Sequence, residues 1–137
     1  MAGVSATTEI ECATAKVFEC VSDPTSQAKW MPSIEKVEHT EGPRGQVGGK
    51  YRQTVTMMGQ TQEGALEIVE CQSPTRFRTR VKGGPATIDS LFELSEQSGA
   101  TRVKMTVEAG PMLAIIAPMI RKQLEQGLAR LKELLES

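Results

Sequence analysis

The side chains that most often perform acid–base or nucleophilic chemistry are few in this sequence. The 137 residues include one histidine and three cysteines. His39 lies in the charged segment IEKVEHTEG, which is typical of an exposed edge strand, so we do not expect it to act as a general acid or base. Cys12, Cys20 and Cys71 have no neighbouring basic cluster or helix N-terminus to lower the thiol pKa. The sequence therefore indicates no catalytic set.

The remaining chemical groups form no recognisable ligand-binding motif. The cysteines and the histidine do not have the spacing of a metal site, and we predict no metal and no cofactor. The glycine-rich segment GPRGQVGG joins two predicted strands and lacks the lysine and the helix N-terminus that phosphate binding uses. Glu67 and Asp89 alternate with apolar residues, so we expect both carboxylates on the surface.

Length and charge limit the class of protein. We predict a single domain over residues 1–137, which is long enough to bury a core without disulfides. The 16 Lys and Arg balance the 17 Asp and Glu, so no overall field favours nucleic acid. The odd cysteine count indicates reduced thiols, and the apolar segment Pro111–Ile120 is too short to span a bilayer. We expect a cytoplasmic monomer or homodimer that binds no nucleic acid and has no stable membrane insertion.

The first third of the chain predicts one strand and two short helices. Weak alternation predicts a strand over Val4–Cys12, after which Thr14 can cap a helix. That helix should end near Asp23, because a residue before proline is disfavoured in the helical region. Pro24 can then occupy the first turn of a second short helix that carries Trp30, the single tryptophan. One face of the first helix is apolar: Val17, Phe18 and Val21.

Six further strands separated by short turns follow, and turns of this length favour antiparallel neighbours in a single meander sheet. The predicted strands are Ile34–Thr40, Lys50–Met58, Gln62–Cys71, Arg76–Lys82, Thr87–Glu96 and Thr101–Ala109.

The C-terminal segment predicts a long amphipathic helix. Gly127 lies at the edge of its apolar stripe, where a missing side chain would allow close approach to a sheet, and Pro118 should either start the regular helix or kink it. The stripe contains Leu113, Ile116, Ile120, Leu124, Leu128, Leu131 and Leu135.

These elements predict an α+β fold, in which a seven-stranded curved antiparallel sheet wraps around the long C-terminal helix. The two short helices connect strands 1 and 2. One helix about 10 Å wide cannot cover so many strands unless the sheet curls around it. A curled sheet that grips one helix tends to leave a gap, which could hold a ligand.

The order of segments resembles the SRPBCC or START-like helix-grip superfamily, in its polyketide cyclase/dehydrase-like branch. The similar segments are ATAKVFECVSDPTSQAKWMPSIEKVE, GGKYR, EIVECQSPTRFRTRV, FELSEQSGATRVKMTVE and LARLKELLE. The resemblance implies a cavity between sheet and helix for a hydrophobic or amphipathic ligand, and no shared catalytic residues. It also implies that the two short helices form a V that supports the end of the sheet. For Trp30 this favours a structural plug near the cavity over a direct ligand contact.

Alternation predicts which side chains face the gap. Arg76, Arg78 and Arg80 must face solvent or ion-pair partners, so the intervening residues face inward, and the same rule turns Val81, Ile88 and Val107 inward. For the third strand we favour the face that begins at Tyr51 over the face of Arg52, Thr54, Thr56 and Met58. These residues could also simply fill a core. The predicted lining is Trp30, Tyr51, Gln53, Val55, Met57, Leu66, Ile68, Phe77, Thr79, Ser90, Phe92, Met105, Leu113, Ile116 and Ile120.

Two functions from different classes fit this lining. The preferred function is binding or carriage of a hydrophobic small molecule such as a lipid, polyketide or isoprenoid. The alternative is a polyketide cyclase or dehydratase in which Tyr51, Gln53 or Arg52 orients or polarises a carbonyl. A third interpretation treats Pro111–Ile120 as a lid, an interface or core, since Ile115 and Met119 project away from the apolar stripe.

Overall fold

Seven strands form one antiparallel sheet in the order β1-β7-β6-β5-β4-β3-β2. The computed structural model describes residues 3–57, 59–83 and 87–136, without the side chains of Met57 and Met112. The strands are β1 (Val4–Ile10), β2 (Ile34–Glu41), β3 (Lys50–Met57), β4 (Gln60–Gln72), β5 (Arg76–Lys82), β6 (Thr87–Gln97) and β7 (Ala100–Glu108). The helices are α1 (Thr14–Val21), α2 (Gln27–Trp30) and α3 (Leu113–Glu136), with 3₁₀ turns at Pro24–Ser26 and Gly110–Met112.

The predicted fold class is confirmed. Strands β2 to β7 form a meander, and β1 pairs with β7 to close the order. Helix α1, the 3₁₀ turn at Pro24–Ser26 and α2 connect β1 to β2, and α3 packs on the sheet and on α2. The sheet has one buried face and one polar face, as an antiparallel sheet that contacts water on one side should have.

Strand β5 shows why the alternation was informative. Phe77 and Thr79 are buried, whereas the three arginines between and beside them lie on the opposite face. Arg76 pairs with Glu70 at 2.9 Å, and Arg80 pairs with Asp89 at 3.2 Å. The guanidinium groups therefore find partners on the outer face, which leaves the inner face to uncharged side chains.

Some strand bounds differ from the prediction. Strand β1 ends at Ile10 and β7 at Glu108, both short of the predicted ends, whereas β4 begins earlier, at Gln60. Gln60 and Thr61 belong to β4 because they continue the hydrogen-bonded ladder with β3, which does not require apolar side chains. The predicted β3 end at Met58 lies outside the described residues.

The predicted capping of α1 by Thr14 is wrong. Ala13 occupies the N-cap position without a side-chain hydrogen bond, and Thr14 is the first helical residue. The Thr101 hydroxyl lies 2.8 Å from the Cys12 carbonyl, to which it donates, and the Thr14 and Thr101 hydroxyl oxygens are 2.9 Å apart. Thr101 on β7 therefore contacts the Thr14 hydroxyl, for which the local sequence predicted a helix-capping role.

Trp30 is fully buried at the end of α2. Its ring centroid lies 5.8 Å from that of Phe92 at an interplanar angle of 75°, and Nε1 donates to Ser26 Oγ at 3.4 Å. Pro24 opens the preceding 3₁₀ turn, as predicted for a helix start. Trp30 thus fills one end of the core and satisfies its N–H locally, and the plug interpretation stays a prediction.

Helix α3 continues on both sides of Pro118. Pro118 and Ala114 are both exposed, so water can solvate the Ala114 carbonyl that lacks a proline N–H partner. Gly127 is buried, but its close approach is to α2 and not to the sheet as predicted. A Cβ at this position would lie 2.9 Å from Met31 Sδ and 3.6 Å from Trp30 Cε3. The absent side chain therefore lets α2 pack under α3.

Candidate functional site

A cavity of about 130 Å³, partly open to solvent, lies between the inner face of the sheet and α3. We call it the sheet–helix cavity. Nine apolar and six uncharged polar residues line it among those described: Gln27, Met31, Ser33, Ile34, Gln53, Val55, Thr79, Val81, Ile88, Ser90, Met105, Val107, Ile120, Gln123 and Leu124.

The floor of the cavity comes from small side chains in register on three strands. Thr79 of β5 opposes Ser90 of β6, which in turn opposes Val107 of β7. The preceding row on β5 and β6 contains Phe77 and Phe92, both fully buried, which fill the core beside the small row. The gap therefore lies where large inner-face residues give way to Thr, Ser and Val.

The roof and the walls come from elements that are distant in sequence. Ile120, Gln123 and Leu124 of α3 cover the floor, and Met31, after α2, lies at one side. Strands β2 and β3 add Ile34 and Val55, which are half-buried, along with Gln53. Closure of the cavity thus depends on how α3 docks.

The polar groups of the cavity are amides and hydroxyls. Gln53 Nε2 donates to Gln27 Oε1 at 2.9 Å, and both side chains are buried. Gln123 Oε1 is buried and has no hydrogen-bond partner within the described part of the chain. Thr79 is 1% exposed, and its hydroxyl makes no side-chain bond to another described residue. This hydroxyl is therefore available to a ligand at the floor of the cavity. The cavity can therefore orient a ligand through neutral hydrogen-bonding groups.

The structure places six residues of the predicted lining around this cavity: Gln53, Val55, Thr79, Ser90, Met105 and Ile120. The other predicted residues lie elsewhere or are not described. Phe77, Phe92, Leu66 and Ile68 are buried in the adjacent core, as is Trp30. Leu113 and Ile116 are half-buried against that core, and the Met57 side chain lies outside the described residues.

Nine lining residues were absent from the predicted set. Alternation had already turned Val81, Ile88 and Val107 inward, and Leu124 lies on the apolar stripe of α3, so their signal was present in the sequence. The other five are Gln27, Met31, Ser33, Ile34 and Gln123. Of these five residues, only Gln123 could have been found from the sequence, because it follows Ile120 by three residues on the same helix.

Tyr51 and Arg52, predicted to act on a carbonyl in the alternative function, lie away from the sheet–helix cavity. Tyr51 is 2% exposed, and its hydroxyl accepts a hydrogen bond from the Gly45 N–H at 2.9 Å. Arg52 is exposed and pairs with Glu38 at 2.9 Å. Tyr51 thus supports the β2–β3 loop, and Arg52 belongs to the outer surface.

The histidine and the thiols also lie away from the cavity. His39 Nε2 is 2.7 Å from the Gly42 carbonyl, in the loop after the edge strand β2. Burial raises the pKa of the Cys20 and Cys71 thiols, which keeps both protonated near neutral pH. In residues 3–57, 59–83 and 87–136, no three His, Cys, Asp or Glu side chains lie close enough to hold a metal ion.

The first segment of α3 is partly core and partly surface. Leu113 and Ile116 pack against the buried core, whereas Ile115 is 78% exposed and Met119 is half-buried. The lid and interface interpretations of this segment remain predictions. None of the described helices is long and apolar enough to cross a membrane.

Solved structures share this architecture at low sequence identity. Protein CV1439 from Chromobacterium violaceum has a TM-score of 0.81 at 21% identity, over 98% of this chain and 97% of that one. Ginseng major latex-like protein 151 from Panax ginseng has a TM-score of 0.79 at 14% identity, over 99% and 98%. TTHA0849 from Thermus thermophilus has a TM-score of 0.75 at 16% identity, over 98% and 94%. No curated protein matches the sequence.

The curved sheet, the gripped helix and the gap between them define a helix-grip protein. The family described as polyketide cyclase/dehydrase and lipid transport matches residues 1–136, and the chain belongs to it. The predicted resemblance is therefore confirmed. Membership supports hydrophobic-ligand binding as the general function.

Proposed function

We propose that this protein binds or carries a hydrophobic or amphipathic small molecule in the sheet–helix cavity. The observation that carries the proposal is the lining itself: nine apolar side chains and six uncharged polar ones surround one gap in the described core. Such a composition is typical of ligand pockets, in which a few polar groups set the orientation. The cavity volume of about 130 Å³ is below the roughly 300 Å³ at which drug-sized pockets begin. The cavity thus suits a single ring or a short chain, and any longer part of a ligand must lie toward its open side.

The alternative, a cyclase or dehydratase acting on a polyketide chain, is named in the family description. Such an enzyme needs a general acid or base within hydrogen-bond reach of the reacting proton. The described lining residues include no His, Asp, Glu, Lys, Arg, Tyr or Cys. Binding or carriage is therefore the function that these residues support better.

We expect filling the cavity floor to abolish binding. Ser90→Leu places a branched side chain in the gap, and Ser95→Leu, on the exposed face of the same strand, is the matched control. The probe is p-xylene, titrated at neutral pH and followed through backbone amide chemical shifts. We expect saturable shifts around the cavity in the unmodified protein and in Ser95→Leu, and at least tenfold weaker binding in Ser90→Leu.

Native mass spectrometry of gently purified protein, followed by extraction, would identify a co-purifying molecule. Equal p-xylene affinity in all three proteins would contradict the placement of the site. The absence of any response in the unmodified protein, both to p-xylene and to its hydroxyl-bearing counterpart p-cresol, would contradict the proposed function.

A further inference from the structure

The hydrogen-bonding groups that the sheet–helix cavity leaves unpaired limit the chemical class of the ligand. The cavity contains three glutamine side chains, and two of them, Gln27 and Gln53, bond to each other. The third, Gln123, lines the cavity, and its buried Oε1 has no partner among the described residues. A buried acceptor without a donor is costly, so this oxygen is the group that a ligand can best satisfy.

An amide oxygen only accepts hydrogen bonds, which determines what the ligand must offer. In this orientation of the amide, the ligand needs an O–H or N–H group, because an ether, ester or ketone oxygen would face Oε1 without a proton between them. Thr79 and Ser90, which oppose each other on β5 and β6, contribute hydroxyls on the floor side. These hydroxyls can donate to a ligand oxygen or accept from it. A hydroxyl on the ligand therefore matches both sides of the cavity.

The lining also limits the charge of the ligand. The described residues around the cavity include no cation that could pair with a carboxylate or a phosphate and no anion that could pair with an amine. Burial of an unpaired ion costs far more than burial of a neutral polar group. A charged group can therefore bind only if it stays at the solvent side, where it leaves Gln123 unsatisfied.

The volume limits the size of the buried part. A cavity of about 150 Å³ lined with apolar side chains accommodates benzene in another protein, and the present cavity is about 130 Å³. One ring, or a short branched chain, therefore accounts for the buried portion. Any longer tail must lie toward the open side of the cavity.

From these observations we infer that the sheet–helix cavity selects an uncharged ring or short chain with a hydroxyl or N–H group, which donates to Gln123 Oε1. This inference rests on the proposed function and adds the class of ligand. It assigns Gln123 as the residue that determines specificity.

Four probes of matched shape test the inference at pH 7: p-cresol, 4-methylanisole, p-toluate and p-xylene. They carry, in that order, a neutral donor, an acceptor only, a carboxylate and no polar group. Amide chemical-shift titrations of the full chain give each dissociation constant. We expect p-cresol to bind about tenfold more tightly than 4-methylanisole or p-xylene, and p-toluate to bind most weakly.

Two glutamines of α3 provide a matched pair of variants. Gln123→Met keeps the length of the side chain and removes the amide, and Gln126→Met makes the same change at an exposed position of the same helix. We expect the preference for p-cresol over 4-methylanisole to disappear in Gln123→Met and to persist in Gln126→Met. Gln123→Met should remain folded, because it replaces a polar atom that has no described partner, and its melting temperature checks this.

The possible failures can be told apart. Equal binding of p-cresol and 4-methylanisole, or tightest binding of p-toluate, would overturn the inference about the ligand but keep the proposed function. Preference for p-cresol in both glutamine variants would overturn the role of Gln123. Failure of all four probes to bind would overturn the proposed function and the inference with it.

Discussion

Single side chains in this protein often serve partners that their sequence neighbours do not reveal. Thr14 has the residue type and position of a helix cap, yet its hydroxyl lies 2.9 Å from that of Thr101 on β7. Tyr51 lies on the inner face of β3, yet its hydroxyl bonds the backbone of the β2–β3 loop. In both cases a hydroxyl contacts a group outside its own helix or strand, because folding brings that group within reach.

Removal of the Tyr51 hydroxyl tests whether this group contributes to stability or to ligand binding. Tyr51→Phe removes the acceptor for the Gly45 N–H and preserves the ring contact with His39, whose centroid is 5.1 Å away. We expect the free energy of unfolding to fall by about 1 kcal/mol, because one hydrogen bond is lost. Affinity for p-xylene should not change. Urea unfolding and the same chemical-shift titration measure the two quantities.

A loss of affinity in Tyr51→Phe at unchanged stability would place the hydroxyl in the ligand site. Such a result would favour the cyclase or dehydratase alternative, in which Tyr51 orients a carbonyl.

At the scale of elements, the contact between α2 and α3 holds one end of the cavity. Gly127 permits it, since a Cβ there would lie only 2.9 Å from Met31 Sδ and in van der Waals contact with Trp30. Met31 also lines the cavity, so the packing of the two helices and the shape of the site are linked. The gap is therefore sensitive to any change that moves α2 relative to α3.

We expect Gly127→Val to destabilise the protein by about 1–3 kcal/mol, as overpacking of a filled contact does. Ala129→Val, at an exposed position of α3, is the control for the cost of a β-branched residue in the helix. Chemical denaturation of both variants provides the comparison. Equal stability of the two variants would contradict the close contact between α2 and α3.

At the scale of the whole molecule, ion pairs on the outside of the fold make its stability depend on pH. Hydrogen bonds from Arg52 and then Lys36 lower the pKa of Glu38, and a bond from Arg76 lowers the pKa of Glu70. The pKa of Glu136 is lowered by the backbone N–H of Glu11 and then by the Lys132 ammonium. This last contact ties the end of α3 to the segment that follows β1.

The sign of the effect follows from the direction of these pKa shifts. A carboxyl group whose pKa is lower in the folded state stabilises the fold above the ordinary carboxyl pKa of about 4.3 and loses that contribution as the pH falls toward the folded value. We therefore expect the urea midpoint to be steady from pH 7 to about 5 and to decrease below about 4.3.

Replacement of Glu38, Glu70 and Glu136 by glutamine should lower the midpoint at pH 7 and flatten its decrease in acid. All three carboxyls are solvated, so each contribution is small. An unchanged slope in the triple variant would mean that other groups govern the acid response.

The sequence by itself predicted the fold to within a few residues at each element end. Alternation on β5 and the apolar stripe of α3 are local patterns, set by side chains that point to one face every second residue of a strand or every third to fourth residue of a helix. The same patterns turned Thr79, Ser90 and Ile120 toward the interior, where the structure places them around the cavity.

Only the tertiary structure decided which inner-face residues surround a gap and which fill the core. Phe77 and Thr79 share a face of β5, yet one is packed in the core and the other lines the cavity, since the difference depends on which side chains of β6 and α3 lie opposite. Gln123 likewise became a candidate ligand contact only once the docked α3 buried its amide oxygen without a described partner. The cavity volume and the unpaired hydrogen-bonding groups depend on residues that are distant along the chain. No local sequence periodicity can therefore predict them.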